Sequence, residues 1–125
     1  MNFPKEFYRH LETEDYTEIK GGIDRRTFLE IWVVAVDNRI FARSWNKSER
    51  SWFTAFFETG IGQFKYCDQI IEISGKKVEP DDELHGLINE AYLTRYTEKE
   101  NRFYESGISQ AEYFDYTMEF FYTEK

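Results

Sequence analysis

Cysteine and proline are scarce in this sequence, and long apolar runs are missing. Cys67 is the single cysteine among 125 residues, so no disulfide can form within the chain, and a reducing compartment is expected. No run of about 18 apolar residues occurs, which excludes a transmembrane helix. The first fifteen residues carry charges where a signal peptide has its apolar core. We therefore expect a cytoplasmic protein that makes no contact with a membrane.

The residue groups that usually mark catalytic and metal sites are also missing. His10 and His85 are the only histidines, and both are predicted to lie at the surface of helices. No cluster of His and Cys suits a metal ion, no glycine-flanked nucleophile appears, and no GxxxxGK loop is present. The sequence therefore predicts no metal site and identifies no catalytic residue.

Positive charge is in short supply, most of all in the second half. The chain has 16 Lys and Arg against 24 Asp and Glu, a formal net charge of −8. All of that excess lies in residues 67–125, because residues 1–66 hold ten side chains of each sign. An acidic surface repels phosphate backbones, which argues against nucleic-acid binding. A local basic pocket in the neutral half could still hold one small anion.

Aromatic residues, in contrast, are abundant: 12 Phe, 9 Tyr and 3 Trp make up 19% of the chain. Aromatic side chains favour strands and large rigid packing units, so a β-rich core built from rings is one interpretation. A stacking surface for a flat ligand is the other. The length suits one domain, residues 1–125.

Alternating and helical patterns divide the chain into short elements. Residues 4–14 and 79–95 have helical spacing, and so does a segment after residue 46 that Asn46 or Ser48 could cap and Gly60 could end. Its predicted inward stripe is Trp52, Phe53, Phe56 and Phe57. In the helix after residue 79, Asp81 could cap, and one face is predicted to carry Leu84, Leu87, Ile88, Ala91, Tyr92 and Arg95.

The strand candidates are mostly short. Residues 28–36 form the most apolar run and are predicted to be one long buried strand. Asp37-Asn38 is predicted to be a tight turn into an antiparallel strand over residues 39–45. Residues 16–20, 63–66, 70–78 and 114–122 are further strands. This order predicts an α+β fold, a small, mostly antiparallel split β-barrel of about six strands with peripheral helices.

Two stretches could bind an anion. Gly21-Gly22-Ile23-Asp24-Arg25-Arg26 combines glycine N–H groups with arginine forks, but it could equally be a solvated hairpin tip. At the second stretch, Arg43 and Trp45 share one strand face next to the start of a helix, where free N–H groups attract anions. The alternative is that Ser48 caps the helix while Arg43 pairs with a nearby acid.

Four short motifs resemble a bacterial family, the domain-of-unknown-function family 2255. They are an IWVVAV strand at residues 31–36, Arg43-Ser44, Trp52-Phe53, and AYLTRY at residues 91–96. Their order and spacing match from about Leu11 to Tyr122. The family commonly has glycine shortly after Arg-Ser and a Gly-Gly pair where this chain has Cys67-Asp68.

That family is similar in layout to split-barrel proteins that bind FMN or a deazaflavin, often as homodimers. The resemblance implies ligand contacts at Arg25, Arg26, Arg43, Ser44 and Trp52, to which the strand pattern adds Trp45. It implies a flat, anionic small molecule as ligand and a reductase-like role. Tyr92, Arg95 and Tyr96 are predicted to be structural, with Arg95 held by an acid such as Glu30 or Asp37. The alternative is a non-enzymatic dimeric module that keeps the barrel without the cofactor.

Overall fold

A computed structural model describes residues 3–14, 16–22, 27–44, 51–95 and 111–123. In those residues three α-helices, one 3-10 helix and seven strands are defined. The helices are α1 (Lys5–Thr13), α2 (Trp52–Thr59), α3 (Leu84–Arg95) and the 3-10 helix Ala111–Tyr116. The strands are β1 (Thr17–Gly21), β2 (Leu29–Ile31), β3 (Val33–Val36), β4 (Arg39–Arg43), β5 (Ile61–Tyr66), β6 (Gln69–Lys77) and β7 (Thr117–Tyr122).

The strands form one antiparallel sheet in the order β2-β1-β5-β6-β7-β4-β3. The two strands at its edges, β2 and β3, are neighbours in sequence, so the sheet curls into a nearly closed barrel with an unsealed seam. This arrangement confirms the predicted α+β split barrel. The count of about six strands is corrected to seven in the described residues, because residues 28–36 are not one strand.

The long apolar run is interrupted at Trp32. Ile31 pairs with Thr17 of β1, whereas Val33 pairs with Ala42 of β4. One strand therefore ends at one edge of the sheet, and the next begins at the other edge. Continuous apolar character indicates burial but does not specify a pairing partner, so it cannot show such a change of edge.

The barrel interior is filled by aromatic and branched side chains, with α1 and α2 packed against it. Phe7 of α1 stacks on Phe64 of β5 with ring centroids 5.3 Å apart. Phe56 of α2 meets Phe120 of β7 edge-on at the same centroid distance. Phe7, Phe56, Phe64 and Phe120 are all buried. Much of the aromatic content thus serves the core, as one of the two interpretations expected.

The third helix covers the outer face of β3 and β4. Ile88 and Tyr92 of α3 form a separate buried cluster with Trp32, Val34 and Phe41. Ile40 and Ala42 of β4 alternate with Phe41 and belong to the interior cluster. The strand β4 is therefore buried on both faces, and its end reaches the space between the barrel and α3.

Two helix predictions are wrong in detail. The N-cap of α2 is Ser51, whose hydroxyl accepts a hydrogen bond from the Thr54 N–H at 3.1 Å. The prediction of Asn46 or Ser48 falls on residues outside the described ranges. Phe57, assigned to the inward stripe, is 65% exposed. It lies four residues after Phe53, and the two rings stack with centroids 6.4 Å apart, so Phe57 is at the exposed edge of the buried stripe.

The third helix also differs from its prediction. It begins at Leu84, whose N–H donates to the Asp82 carboxylate at 2.9 Å, so Asp82 takes the role predicted for Asp81. Leu87 is exposed, and His85 is buried in its place. The buried stripe therefore consists of His85, Ile88 and Tyr92. The polar side chain of His85 can be buried because it has hydrogen-bond partners there.

Two tight turns have the left-handed backbone that hairpins of this type need. Asp37 and Asn38 have φ values of 51° and 66°, which confirms the predicted turn. Cys67 and Asp68 have φ values of 48° and 62° and join β5 to β6 in the same way. Glycine adopts this backbone at least cost, so Cys67 and Asp68 occupy positions that favour glycine.

At the end of the chain, the predicted strand over residues 114–122 is confirmed only from Thr117 onwards. Residues 111–116 form the 3-10 helix instead. Its Phe114 ring lies beside α3, stacked on His85 with centroids 4.2 Å apart. None of the helices in the described residues is long and apolar enough to span a membrane.

Candidate functional site

The end of β4 carries a buried arginine that joins three elements. Arg43 is 2% exposed. Its Nε donates to Thr117 Oγ1 of β7 at 3.0 Å, and its Nη1 donates to Asn89 Oδ1 of α3. Its Nη2 donates to His85 Nδ1 at 3.0 Å. We call Arg43, His85, Asn89, Thr117 and Tyr92 the arginine node.

The histidine of the arginine node has its tautomer set by its neighbours. A guanidinium only donates, so His85 Nδ1 must accept. His85 Nε2 then carries the proton and donates to the Glu79 backbone carbonyl at 2.7 Å. Burial lowers the pKa of His85 below its usual value, and the charge of Arg43 lowers it further, although the Glu79 carbonyl opposes both effects. His85 is therefore neutral at pH 7.

Tyr92 links the node to the seam of the barrel. Its hydroxyl accepts from the Arg43 backbone N–H at 2.9 Å and donates to the Trp32 carbonyl at 3.1 Å. Trp32 is the residue between β2 and β3, where the sheet changes edge. The Tyr92 side chain itself is fully buried. One hydroxyl thus ties α3 to both β4 and the interrupted strand.

Burial also affects the arginine itself. It lowers the pKa of Arg43 to about 10, still well above neutrality, so the guanidinium stays charged. The Phe114 ring lies 4.8 Å from the guanidinium carbon and the Tyr92 ring 5.9 Å from it, both in cation–π geometry. Buried charge is costly unless it is paired and hydrogen-bonded. The node supplies three hydrogen-bond acceptors and two ring faces, so this side chain is fixed in place and faces α3.

Of the other residues expected to contact a ligand, two are buried and three lie outside the described residues. Ser44 is buried, and its backbone N–H donates to the Tyr116 carbonyl at 3.0 Å. Trp52 is buried in the interior cluster, with its ring 5.7 Å from that of Phe120. Arg25, Arg26 and Trp45 lie outside the described residues. The structure therefore brings Arg43 and Ser44 to one strand end, and it packs Trp52 in the core.

Two of the three residues predicted to be structural, Tyr92 and Arg95, lie within the described ranges. Tyr92 belongs to the arginine node, as described above. Arg95, at the end of α3, donates a hydrogen bond to the Glu14 backbone carbonyl after α1. Tyr96 lies outside the described residues. The predicted carboxylate partners of Arg95 were Glu30 or Asp37, whereas this bond goes to a main-chain oxygen of a different segment.

The end of β1 lies against α2. A Cβ added to Gly21 would lie 2.9 Å from the Trp52 carbonyl oxygen and 2.8 Å from Ala55 Cβ, so the strand backbone touches the helix closely. Gly22 faces Ala55 and Thr59 and has φ 75°. The strand β1 therefore ends beside α2. Residues 45–50 precede the same helix in the sequence.

Sequence reasoning placed both histidines at the surface, and both are buried. His10 is 6% exposed, and its Nε2 is 3.0 Å from Thr17 Oγ1. His85 belongs to the arginine node. The helical spacing of the two residues was the signal for their burial, since His10 stands three residues after Phe7 and His85 three residues before Ile88. In the described residues, no group of three or more His, Cys, Asp or Glu side chains could hold a metal ion.

The chain is similar in structure to the conserved hypothetical protein Rv2991 from Mycobacterium tuberculosis, with a TM-score of 0.62 and 13% sequence identity. That match covers 100% of this chain and 82% of the other, and at this identity it concerns the fold alone. No curated protein matches the sequence. Residues 12–119 match the model of DUF2255, an uncharacterised protein conserved in bacteria, and because that is most of the chain, the protein belongs to this family.

Proposed function

We propose that the barrel binds a flat, anionic molecule of cofactor size, a flavin or a deazaflavin, next to α2. The observation that carries the proposal is the position of the described chain ends around this helix. Gly22, which precedes Arg25 and Arg26, contacts α2, and Ser51, which follows residues 45–50, caps it. In the sequence, Arg25 and Arg26 follow a residue near the last turn of this helix, and residues 45–50 precede its first turn, which contains no acidic residue.

The chemistry of these segments suits the ligand. Arginine binds phosphate and carboxylate in a forked geometry, and Trp45 offers a ring for stacking. The free N–H groups at the start of a helix favour an anion. In this proposal Arg25, Arg26 and Trp45 contact the ligand. Arg43, Ser44 and Trp52 are buried and hold the strand end and the helix in position.

Flavin fluorescence provides the test. Titration of the protein into FMN, FAD or a deazaflavin should quench the emission, with dissociation constants in the micromolar range or below. The double variant Arg25→Ala/Arg26→Ala should weaken binding by about a hundredfold or more, since each of the two lost charged hydrogen bonds costs roughly 1.5–3 kcal/mol. The matched control Lys5→Ala/Arg9→Ala removes two exposed charges of α1 and should leave binding unchanged. No quenching at high micromolar protein, or equal loss in both variants, would refute the proposal.

A second candidate is a dimeric module without a cofactor, and exposed apolar side chains on the outer sheet face favour it. Ile61 of β5 and Phe121 of β7 both pair with Ser74 of β6, so all three share one face. Ile61 and Phe121 are exposed there. Light scattering should then show a concentration-dependent dimer that Ile61→Ser/Phe121→Ser disrupts. A monomer at all concentrations argues against it, whatever the flavin titration shows.

A further inference from the structure

The apolar cluster under α3 is separate from the cluster that fills the barrel. It contains Ile88 and Tyr92 of the helix, with Trp32, Val34 and Phe41 beneath them. The interior cluster is formed by other residues, which come from α1, α2 and the inner face of the sheet. Packing on the outer side can therefore loosen while the interior stays intact, which is the condition for a unit that opens locally.

Polar contacts attach the first half of α3, residues 84–89, to the barrel. Arg43 of β4 donates to His85 Nδ1 at 3.0 Å and also to Asn89 Oδ1. The imidazole of His85 is stacked on the Phe114 ring of the 3-10 helix, with centroids 4.2 Å apart. His85 is 2% exposed. This one side chain is thus the point where β4, α3 and the 3-10 helix meet.

Protonation of His85 would remove the acceptor on which this attachment depends. Its Nε2 already carries a proton, which is donated to the Glu79 carbonyl at 2.7 Å. A second proton can bind only at Nδ1, and an imidazolium has no acceptor left. The guanidinium of Arg43 would then meet an N–H donor and a second positive charge at a distance of 3.0 Å. The closed arrangement therefore requires a neutral His85.

The charged groups around His85 act in both directions. Burial and the charge of Arg43 favour the neutral imidazole. The Glu79 carbonyl favours the protonated form, and so do the carboxylates of Asp82 and Asp81 in the turn before α3. The net effect lowers the pKa of His85. An opened helix loses both the burial and the repulsion, so the open form binds the proton more tightly than the closed form does.

Two further elements lie against the imidazole. Phe114 of the 3-10 helix offers a ring face, which attracts a cation but accepts no hydrogen bond from Arg43 in place of Nδ1. The adjacent Asp115 is paired with Lys77 of β6 at 2.8 Å. Thr117 of β7 is neutral and accepts from the Nε of Arg43. In the described part of the chain, Arg43 is thus the cation that bears most directly on the protonation of the imidazole.

We infer that Arg43 and His85 form an acid-sensitive latch, which holds the first half of α3 closed on the barrel at neutral pH and releases it when His85 is protonated. The far end of α3 stays attached through the Tyr92 hydroxyl and through Arg95, which donates to the Glu14 carbonyl. The opening is therefore local. It does not depend on the ligand proposed next to α2.

Hydrogen exchange of the backbone amides, followed by NMR and corrected for the intrinsic rate at each pH, tests the latch. The amides of Ile88 and Asn89 report on it, because their acceptors in an α-helix are the carbonyls of Leu84 and His85. Their protection should fall about five- to tenfold between pH 7.5 and 5.5. That is the change expected when one proton binds an open form with the ordinary histidine pKa of 6.5 and binds the closed form more weakly.

Two matched variants identify the responsible histidine. His85→Gln keeps an acceptor for Arg43 and a donor for the Glu79 carbonyl but cannot titrate, so the protection of the two reporter amides should no longer depend on pH. His10→Gln removes the other buried histidine, in α1, and should keep the wild-type dependence. The wild type and His10→Gln are sufficient for the test if His85→Gln does not fold.

Four outcomes would overturn the inference. They are protection of the reporter amides that does not change with pH in the wild type, a dependence that persists in His85→Gln, and a dependence that is lost in His10→Gln. The fourth is protection of the reporter amides equal to that of the β5 amides, since α3 would then open only when the whole chain unfolds.

Discussion

The guanidinium of Arg43 donates a hydrogen bond to Nδ1 of His85 at 3.0 Å, and both side chains are buried between the barrel and α3. This contact joins residues 42 positions apart and fixes the imidazole with its proton on Nε2. An arginine that looks available for a ligand in the sequence is instead part of the packing that holds β4 against α3.

Replacement of Arg43 by Met should destabilise the fold strongly. The change leaves His85, Asn89 and Thr117 without the donors they accept from. Each unsatisfied buried group costs about 1–3 kcal/mol, and Met recovers part of the loss by packing, so we expect a net loss of about 2–4 kcal/mol in the free energy of unfolding. Urea denaturation followed by circular dichroism measures it.

The matched control for this prediction is Arg9→Met, on the exposed side of α1. Surface substitutions usually change stability by less than about 0.5 kcal/mol. Arg43→Lys should fall between the two, because a lysine keeps the charge but cannot reach three partners as a fork. If Arg43→Met proved as stable as Arg9→Met, the node would have no structural role.

Acid should weaken the fold through His85 and His10. Burial lowers the pKa of both side chains below their ordinary value of 6.5. The unfolded chain then binds protons more readily than the folded one, so the stability contributed by neutral histidine is complete above about pH 6.5 and is lost as the pH falls below it. A protonated His85 also loses the Nδ1 acceptor that Arg43 uses.

Thermal melts between pH 7.5 and 5.5 measure this dependence. The melting temperature of the wild type should fall over that range. His85→Gln should melt at a lower temperature at pH 7.5 but show a flatter pH dependence, because the titrating group is gone. A variant that kept the full wild-type slope would show that other groups cause the acid sensitivity.

The parts of the fold that were predictable from the sequence are those with local signals. The turn at Asp37-Asn38, the stop of α2 at Gly60 and the alternation along β4 all rest on the preferences of a few adjacent residues. The interruption at Trp32 was not predictable, because it depends on which strands lie at the two edges of the sheet. Continuous apolar residues suit one buried strand as well as two short ones.

Less of the candidate site than of the fold was predictable from the sequence. Arg43 was singled out correctly as unusual, but its partners come from α3 and β7, which are far away in the chain. His10 and His85 stand at helical spacing from buried apolar residues, but a histidine is polar, so its place on the apolar face was not enough to predict its burial. Long-range pairing of polar groups becomes visible only once the strands are in register.

Substitutions in the turn at Cys67-Asp68 should increase the stability of the fold. Both residues have positive φ, which costs a residue with a Cβ about 1 kcal/mol relative to glycine. The double variant Cys67→Asn/Asp68→Gly has the residues that this two-residue turn prefers. We expect an increase of about 1 kcal/mol in the free energy of unfolding, or about 3–5 °C in melting temperature.

The control for the turn is Asp68→Ala, which keeps a Cβ but loses the tolerance of aspartate for left-handed backbone. It should lower the melting temperature. Calorimetry of the three proteins gives the comparison. Equal melting temperatures for the Asn-Gly and Ala variants would contradict the left-handed turn.

Two glycine-to-alanine substitutions should have opposite signs, because their surroundings differ. A Cβ at Gly62 would overlap the Phe56 ring and lie 2.5 Å from the Lys20 carbonyl oxygen, which is fixed in the sheet. A Cβ at Gly86, in the exposed part of α3, would meet nothing within 4 Å. Overpacking at the first position should cost about 1–3 kcal/mol. Alanine at the second should stabilise by up to about 1 kcal/mol, since glycine is the poorer helix former. The urea denaturation midpoints of both variants and the wild type, measured under the same conditions, test this prediction. Stabilisation by Gly62→Ala would show that α2 does not lie as closely on β5 as described.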